Sequence, residues 1–302
     1  MSASFISKAQ SWITPALLTN VMMERLGTSL RPCNQRQEIL IERFPAYMDA
    51  IAEGIKPDEI ASIWQLGGVD QVNTFLAQRG YDIKLEDPGE RDGIAAAASI
   101  DLKLSWAKAG TPCVLPVHPD WRHASFTRNA IKGAHLGGAK VLTDGTIEAA
   151  HISIADRPLS CVLFACPKER LAGSQEDLGA LSYTAMQVAN PELQVFGSSS
   201  RRQGVRFPQI NSDLKPNLDW LKGLGIGADG RITQALQQLK LSLDHKGMVV
   251  KEASAGYASR GLGPSPLDIT GPMAVALVAH PEGRRPLVLL NGIFGPDCWV
   301  SA

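Results

Sequence analysis

Residues 243–279 read LDHKGMVVKEASAGYASRGLGPSPLDITGPMAVALVA, and this stretch decides how the rest of the chain is interpreted. A strand-like run leads into it, glycine, serine and proline dominate from Ser254 to Pro266, and another apolar run starts near Pro272. Connections in compact domains usually have about two to six residues, and much longer ones are usually functional or disordered. The long connection between two strand-like runs is therefore the first place to look for the function.

The composition bounds the class of protein. The chain has 302 residues, of which 44% are hydrophobic, with 30 basic and 30 acidic side chains. That length is enough for one large domain or two modest ones. A net charge of zero does not indicate the basic stripe that nucleic-acid or membrane surfaces need. The longest apolar runs, 161–166 and 273–279, are far too short to span a bilayer. We therefore expect neither nucleic acid nor a membrane among the partners.

The start of the chain and its cysteines favour a cytoplasmic location. The opening run is amphipathic and carries Lys8 and Gln10 near its apolar part, which is not typical of a signal peptide. Five cysteines follow no C-x-x-C spacing, so we expect reduced thiols. Cys161 and Cys166 lie on opposite sides of an alternating run, which argues against a disulfide between them.

Helical patterns come first along the chain, and strand patterns dominate from residue 94 onward. Apolar spacing predicts helices over 10–27, 36–53 and 175–189, and shorter ones in KPDEIASIWQLGG (56–68), GVDQVNTFLAQRG (68–80) and SDLKPNLDWLKGLGI (212–226). Strands are predicted over 94–106, 157–167 and 202–210, near 239–243, and in a hairpin that turns at Asp144-Gly145. This order favours an α+β fold rather than a repeating βαβ pattern.

Several stretches over roughly residues 94–296 resemble the serpin family, the serine-protease-inhibitor fold, in the order in which that family carries them. AASIDLKLSW (97–106) is similar to its central strand, with Ile100, Lys103 and Trp106 at matching positions. VRFPQINSDLKPNLDWLKGLGI (205–226) resembles the family's strand ending in Leu-Pro-Lys-Phe, followed by Asp-Leu and a helix ending in Leu-Gly-Met or Leu-Gly-Ile. PMAVALVAHPEGRRPLVLLNGIFGP (272–296) resembles the closing hairpin.

This resemblance implies a single serpin-like domain over residues 1–302, mainly helical over 1–93 and mainly β over 94–302. The implied fold is α+β, with N-terminal helices packed on a large mixed or antiparallel sheet plus a smaller β-barrel-like sheet. Residues 247–269 stand where serpins carry the exposed reactive-centre loop. In that family a serine protease cleaves the loop, which then inserts as an extra strand in the main sheet and inactivates the trapped protease. The resemblance implies no cofactor.

The family's spacing also assigns roles within this loop. The residues that share the reactive-loop assignment are Gly247, Met248 and Glu252 in the hinge, and Arg260, Gly261 and Leu262 around the cleaved bond. Arg260 favours a trypsin-like target, or it is an ordinary solvated arginine.

The hinge departs from the family's pattern. His245 and Lys246 stand in place of two glutamates. Alternate residues of an inserted strand face opposite sides of the sheet, and each set here contains a charge, Glu252 in one and Lys251 in the other. An unpaired buried charge costs on the order of several kcal/mol. Glycine and proline further along are also poor strand formers.

Two other positions also indicate that insertion of the loop into the sheet is weakened. Serpins usually have asparagine where this chain has Ala98, and histidine where it has Gln237. Those polar groups belong to the hydrogen-bond network at the region where the sheet opens, and alanine cannot take part in one. The sequence therefore predicts a serpin scaffold in which protease inhibition is weakened or lost.

The remaining polar residues give weaker signals. VHPDWRH (117–123) contains His118, Asp120 and His123, which are candidate catalytic groups for general acid–base chemistry or part of a solvated surface loop. His151 alternates with Ile152 and is expected to face solvent. The sequence contains no H-x-x-x-H and no H-E-x-x-H motif, so no metal is expected.

A second class of function remains open. The altered hinge is compatible with a serpin scaffold reused for small molecules, as a binding protein or as an enzyme, for example a cyclase, in a bacterial biosynthetic pathway. This alternative predicts a deep apolar pocket lined by aromatics such as Trp12, Trp64, Trp106 or Trp220. The competing interpretation is that these tryptophans are simple core residues. The possible partners are therefore a serine protease or a small-molecule ligand.

Overall fold

The computed structural model describes residues 6–89, 93–117, 130–166, 175–198, 202–249 and 265–302. The chain divides into two compact units. The first consists of Met1–Gln10, Leu102–Ser212 and Lys240–Ala302, and the second of Ser11–Asp101 and Asp213–Leu239. Helices and strands both contribute to each unit, which confirms the predicted α+β class.

Four α-helices lie in the described residues, and they confirm the helices expected over 10–27, 36–53, 68–80 and 175–189. They are α1 (Ile13–Leu26), α2 (Gln35–Gly54), α3 (Asp70–Gln78) and α4 (Gln175–Ala189). Helix α2 begins after Asn34, because the Asn34 side chain accepts a hydrogen bond from the backbone N–H of Gln37 and satisfies a donor of the first turn.

Strands account for most of the other regular structure. In the N-terminal part they are β1 (Lys8–Ser11), β2 (Leu30–Arg31), β3 (Ile60–Leu66), β4 (Ile94–Ile100), β5 (Lys103–Ser105) and β6 (Thr111–Pro116). The middle part contains β7 (Ala130–Leu136), β8 (Lys140–Thr143), β9 (Glu148–Ser153), β10 (Leu159–Ala165), β11 (Gly197–Ser198), β12 (Val205–Pro208) and β13 (Ile210–Leu214). The C-terminal part contains β14 (Gly225–Ile226), β15 (Gly230–Arg231), β16 (Leu239–Leu243), β17 (Gly247–Val249), β18 (Leu267–Asp268), β19 (Met273–Ala279) and β20 (Leu287–Phe294).

The largest sheet lies in the first unit and has the order β1-β20-β19-β10-β9-β8-β11. Its strands β10 and β19 are the two longest apolar runs of the sequence, and they pair antiparallel with Leu159 opposite Ala279 and Ala165 opposite Met273. Every residue of β19 is buried, and Ala274, Ala276 and Val278 pack with α4 in one hydrophobic cluster. Continuous apolar runs are typical of strands that are covered on both faces.

The hairpin predicted around Asp144-Gly145 is confirmed. Strands β8 and β9 pair with Thr143 opposite Glu148. The Asp144 carboxylate accepts hydrogen bonds from the backbone N–H groups of Thr146 and Ile147, at 2.8 and 2.7 Å. An aspartate that bonds to the backbone two residues further along is typical of a tight turn.

The second unit contains a two-stranded sheet of β3 and β4. Ala95 and Ala97 of β4 pack with Val72 and Leu76 of α3 in one hydrophobic cluster. The helix expected in KPDEIASIWQLGG is therefore wrong, since only Pro57–Glu59 form a single helical turn before β3 begins. Ile60, Ile63 and Trp64 are residue types that are enriched in strands, and pairing with β4 over the whole of β3 overrides the proline signal.

The helix expected over 212–226 is also wrong. Strand β13 continues to Leu214, and only Asp219–Leu221 form a short 3₁₀ turn. Pro216 removes a backbone donor just where a helix would start its hydrogen bonding, and the side chain of Asn217 accepts a bond from the Asp219 N–H at 2.6 Å instead.

Candidate functional site

The long connection begins at a tight turn between β16 and β17. Within this β16–β17 hairpin, the Asp244 Oδ1 atom accepts hydrogen bonds from the N–H groups of Lys246 and Gly247, at 2.7 and 3.1 Å. The Asp244 N–H donates to the Gly247 carbonyl at 3.0 Å. The turn therefore folds the chain back before the long connection continues.

Strand β17 lies in a sheet with the order β13-β16-β17-β5. It pairs antiparallel with β16, placing Met248 opposite Leu243, and antiparallel with β5, placing Met248 opposite Leu104. Met248 is 1% exposed. The expectation of an exposed loop starting at Gly247 is thus corrected for its first residues, because Gly247 and Met248 belong to a strand that is hydrogen-bonded along both edges.

Gly247 is required by a close approach of two backbones. A Cβ atom at this position would collide with the carbonyl oxygen of Leu104 in β5. Only glycine allows β17 to lie so close to β5. Close packing of two strands therefore explains the glycine at the start of the predicted reactive loop.

The carbonyl groups of the turn are all hydrogen-bonded. The Trp106 N–H donates to the Lys246 carbonyl at 3.1 Å, and the Trp106 indole Nε1–H donates to the Asp244 carbonyl at 2.9 Å. The Gly110 N–H donates to the His245 carbonyl at 2.8 Å. Trp106 is 3% exposed, so this buried tryptophan supports the turn rather than lining an open pocket.

The far end of the connection is held in a different sheet, with the order β18-β12-β7-β6. Strand β18 runs parallel to β12, and the Leu267 and Ile269 N–H groups donate to the Gly204 and Arg206 carbonyls, both at 2.9 Å. The Arg206 guanidinium also binds the Asp268 carboxylate with two hydrogen bonds, of 2.6 and 2.5 Å. The buried Leu267 and Ile269 correct the expectation of exposure at this end as well.

Several predicted site residues lie outside the described residues. They are the reactive-loop residues Glu252, Arg260, Gly261 and Leu262 and the acid–base candidates His118, Asp120 and His123. Ala98 and Gln237 are the two positions that the resemblance to serpins relates to the hydrogen-bond network where the sheet opens. Ala98 lies in β4 opposite Ser62. Gln237 donates from Nε2 to the Thr14 hydroxyl at 2.5 Å, and its buried Oε1 has no hydrogen-bond partner in the described part of the chain.

The tryptophans of the second unit pack in two separate places. Trp12 packs against Trp220 and Tyr47, with ring centroids 5.4 and 5.8 Å apart. The Arg36 guanidinium lies 4.7 Å from the Trp220 ring centroid, so a side chain of the protein itself occupies the face of that ring. Trp64 stacks separately under the Arg25 guanidinium, at 4.2 Å. This packing favours the interpretation that Trp12 and Trp220 are core residues.

The first unit contains a polar cluster that the sequence patterns did not predict. His151 of β9 is not solvent-facing as expected, since its Nε2 is buried and has no hydrogen-bond partner among the described residues. Its ring centroid lies 6.0 Å from that of His280, whose Nε2 is 2.8 Å from the Ser160 hydroxyl. Burial, followed by the charges of His280 and Lys140, lowers the pKa of His151 to about 4, and burial lowers the pKa of His280.

Neither a metal centre nor a membrane-spanning helix is found in the described residues. In those ranges, no group of three or more His, Cys, Asp or Glu side chains is placed to hold a metal ion. No helix of the described part is both long and apolar enough to cross a membrane. All five cysteines are free thiols, and burial raises the pKa of Cys161 and of Cys298.

Comparison with known proteins gives matches in structure only. No protein-family model and no curated protein sequence matches the chain. A serpin from Schistosoma mansoni matches with a TM-score of 0.58 at 11% identity, over 96% of this chain and 95% of that one. A thyroxine-binding globulin complex with thyroxine matches with a TM-score of 0.57 at 12% identity, over 95% of this chain and 92% of that one. Human thyroxine-binding globulin complexed with thyroxine gives 0.54 at 11% identity, over 95% and 91%.

The chain has a serpin-like fold. The matches cover nearly all of the chain, so the resemblance to serpins and the predicted fold class are both confirmed. At 11–12% identity the likeness establishes the fold alone, and activity has to be argued from this chain's own residues.

Proposed function

We propose that this chain is a serpin-like protein that presents its long connection to a serine protease, and in which inhibition by loop insertion is weakened or lost. The observation that carries the proposal is the burial of Met248 in β17, between β16 and β5. The first residues of the connection already occupy the position that an inserting strand would take, and all three of them are uncharged.

The register of β17 defines what further insertion requires. Met248 lies on the side of the sheet where β16 places its buried Leu241 and Leu243. In a strand that continued from Val249, Glu252 would point to the same side as Met248, because side chains alternate with a period of two. A buried carboxylate without a partner costs on the order of several kcal/mol, so Glu252 opposes insertion.

The test is a thermal melt before and after limited trypsin digestion, with the cut site read by mass spectrometry. We expect a cut between Ser254 and Leu262 to leave the melting temperature unchanged or lower. The cleaved variant Glu252→Ala should melt higher than its uncleaved form, since the opposing charge is gone, whereas Glu252→Asp should behave like the original chain. A sharp rise for the original chain, together with a complex with trypsin that survives SDS, would refute the proposed loss of inhibition.

A small-molecule function is the second candidate, and one observation favours it. A protein of the same fold is solved as thyroxine-binding globulin in complex with thyroxine, so the fold is compatible with a small-molecule ligand. A thermal-shift screen that includes thyroxine tests this candidate directly. A saturable rise in melting temperature with one compound class would support a carrier or an enzyme, and that class would then be assayed for turnover.

A further inference from the structure

One edge of strand β3 has no neighbouring strand among the described residues. The strand of that part of the chain that pairs with β3 is β4, and the Glu59 carbonyl accepts from Asp101 N–H while the Gly67 N–H donates to the Gly93 carbonyl, at 2.9 and 2.8 Å. In an antiparallel ladder, hydrogen-bonded and non-hydrogen-bonded pairs alternate, so the odd-numbered residues of β3 bond to β4. The backbone groups of the even-numbered residues therefore point away from β4, and no described residue bonds to them: Ile60, Ser62, Trp64 and Leu66.

Two of the four outward-facing residues carry large apolar side chains that are exposed. Trp64 is 39% and Leu66 63% exposed, and the strand IASIWQL contains no charge and no proline. Natural edge strands are usually protected by charges, proline or a covering segment, because an open apolar edge templates pairing with another strand. In the described part of the chain, no proline, no charge within the strand and no covering strand protects this edge, so it is a candidate for pairing with another strand.

A groove accompanies the open edge. It has a volume of about 380 Å³ and lies between β3 and α3. Its lining combines Ile63 and Phe75 with polar residues of α3: Asp70, Gln71, Thr74 and Gln78. Ile63 is the strand residue in this lining, so a strand added to the edge would place a side chain beside Ile63 and into the groove.

We propose that the open edge of β3 pairs with β3 of a second copy of this chain, antiparallel about a two-fold axis at Ile63. In this register Ser62 lies opposite the partner's Trp64, and Ile60 opposite the partner's Leu66. All four outward-facing residues then exchange hydrogen bonds, and β4-β3-β3-β4 becomes one continuous sheet. Exposed Leu66 then faces the partner's Ile60, and exposed Trp64 lies opposite the partner's Ser62 and diagonal to the partner's Ile60.

Three features favour a second copy over another occupant. Antiparallel pairing of β3 with itself satisfies both open edges at once and closes the assembly, as two-fold dimers do. The seven residues of the strand carry no charge, so no like charges face each other directly within the paired strands. Directly opposite side chains share a face and lie about 4.5–5.5 Å apart, so the partner's Ile63 would enter the groove that Ile63 and Phe75 line.

The test uses a proline substitution that should weaken the dimer without destabilising the monomer. Ser62→Pro removes an N–H that points away from β4, and an edge strand tolerates proline at such a position. We expect sedimentation velocity over a concentration series to show a dimer for the original chain, and a dimer weakened at least about tenfold for Ser62→Pro, since the two-fold axis doubles the loss. The control Ser62→Ala keeps the N–H and should dimerise normally.

A second variant and a second measurement keep the test decisive. Leu66→Lys places a charge on the edge without altering the β3 backbone and should also give a monomer. Hydrogen exchange of the Ile60, Ser62, Trp64 and Leu66 amides should slow as the protein concentration rises. A monomer at every concentration overturns the proposal, as does a dimer that survives both variants. Protection of these amides that is independent of concentration also overturns it, because another occupant would then cover the edge.

Discussion

Strands β17 and β3 differ in what lies along their edges. Strand β17 has only three residues, yet it is paired on both sides and Met248 is 1% exposed. Strand β3 has seven residues and pairs with β4 over its whole length, yet its other edge is open among the described residues and Leu66 is 63% exposed. The position of a strand within its sheet, more than its length or composition, decides how far it is buried.

The largest expected effect comes from forcing β17 out of its sheet. Gly247→Ala places a methyl group against the Leu104 carbonyl, and the steric conflict plus lost hydrogen bonds should lower the free energy of unfolding by about 3 kcal/mol. Chemical denaturation measures this loss, and hydrogen exchange should show faster exchange at Met248.

The matched control for this substitution is Gly137→Ala. A Cβ atom at Gly137 meets no other atom within 4 Å, so the same chemical change should have little effect there. If Gly247→Ala is as stable as Gly137→Ala and still protects the Met248 amide, the close packing of β17 on β5 is wrong.

The next largest effect is a loss of stability in acid, and it is expected from His151 in β9. Like β17, strand β9 is paired along both edges. His151 has a folded-state pKa of about 4, below its ordinary value of 6.5. The unfolded chain therefore binds more protons between these values, so stability is full above pH 6.5 and falls as the pH drops toward 4. His151 alone should account for a loss on the order of 2 kcal/mol.

Urea unfolding over this pH range checks the acid effect. His151→Phe keeps a buried ring but removes the titrating group, so its stability should depend less steeply on pH than that of the original chain. An unchanged slope in His151→Phe would show that other groups control the acid response.

Elements that depend on local pattern were predictable from the sequence. The apolar runs of β10 and β19, helix α2 with its capping Asn34, and the Asp144-Gly145 hairpin all follow from spacing and turn chemistry. Strand β3 was missed because Pro57 resembles a helix start, whereas pairing with β4 decided the outcome. The order of elements was enough to indicate the serpin-like fold.

Features that depend on register were not predictable. His151 and His280 are distant in sequence, and only the pairing of β10 with β9 and with β19 brings them beside Ser160. The burial of Met248 likewise needs both neighbouring strands to be in place. The sequence predicted an exposed loop from Gly247, whereas the chain beyond the Asp244 turn re-enters a sheet.

A smaller effect is expected from the turn that directs β17 into its sheet. Asp244→Ala removes the acceptor for the Lys246 and Gly247 N–H groups, so the free energy of unfolding should fall by about 1–2 kcal/mol. Asp244→Asn keeps a side-chain oxygen and should retain most of the stability. Equal losses in the two variants, measured by denaturant unfolding, would mean that these hydrogen bonds do not hold the turn.

The smallest effect is expected at β18, which resembles β3 in having a single neighbouring strand. Arg206 and Asp268 are each 39% exposed, so their ion pair should contribute less than about 1 kcal/mol and weaken further in salt. Asp268→Asn should therefore barely change the unfolding free energy. A loss well above this bound would mean that the ion pair anchors the end of the connection. A loss below about 1 kcal/mol would mean that backbone hydrogen bonds hold the end of the connection. Those bonds run from the Leu267 and Ile269 N–H groups to the Gly204 and Arg206 carbonyls, so pairing along one edge is then sufficient.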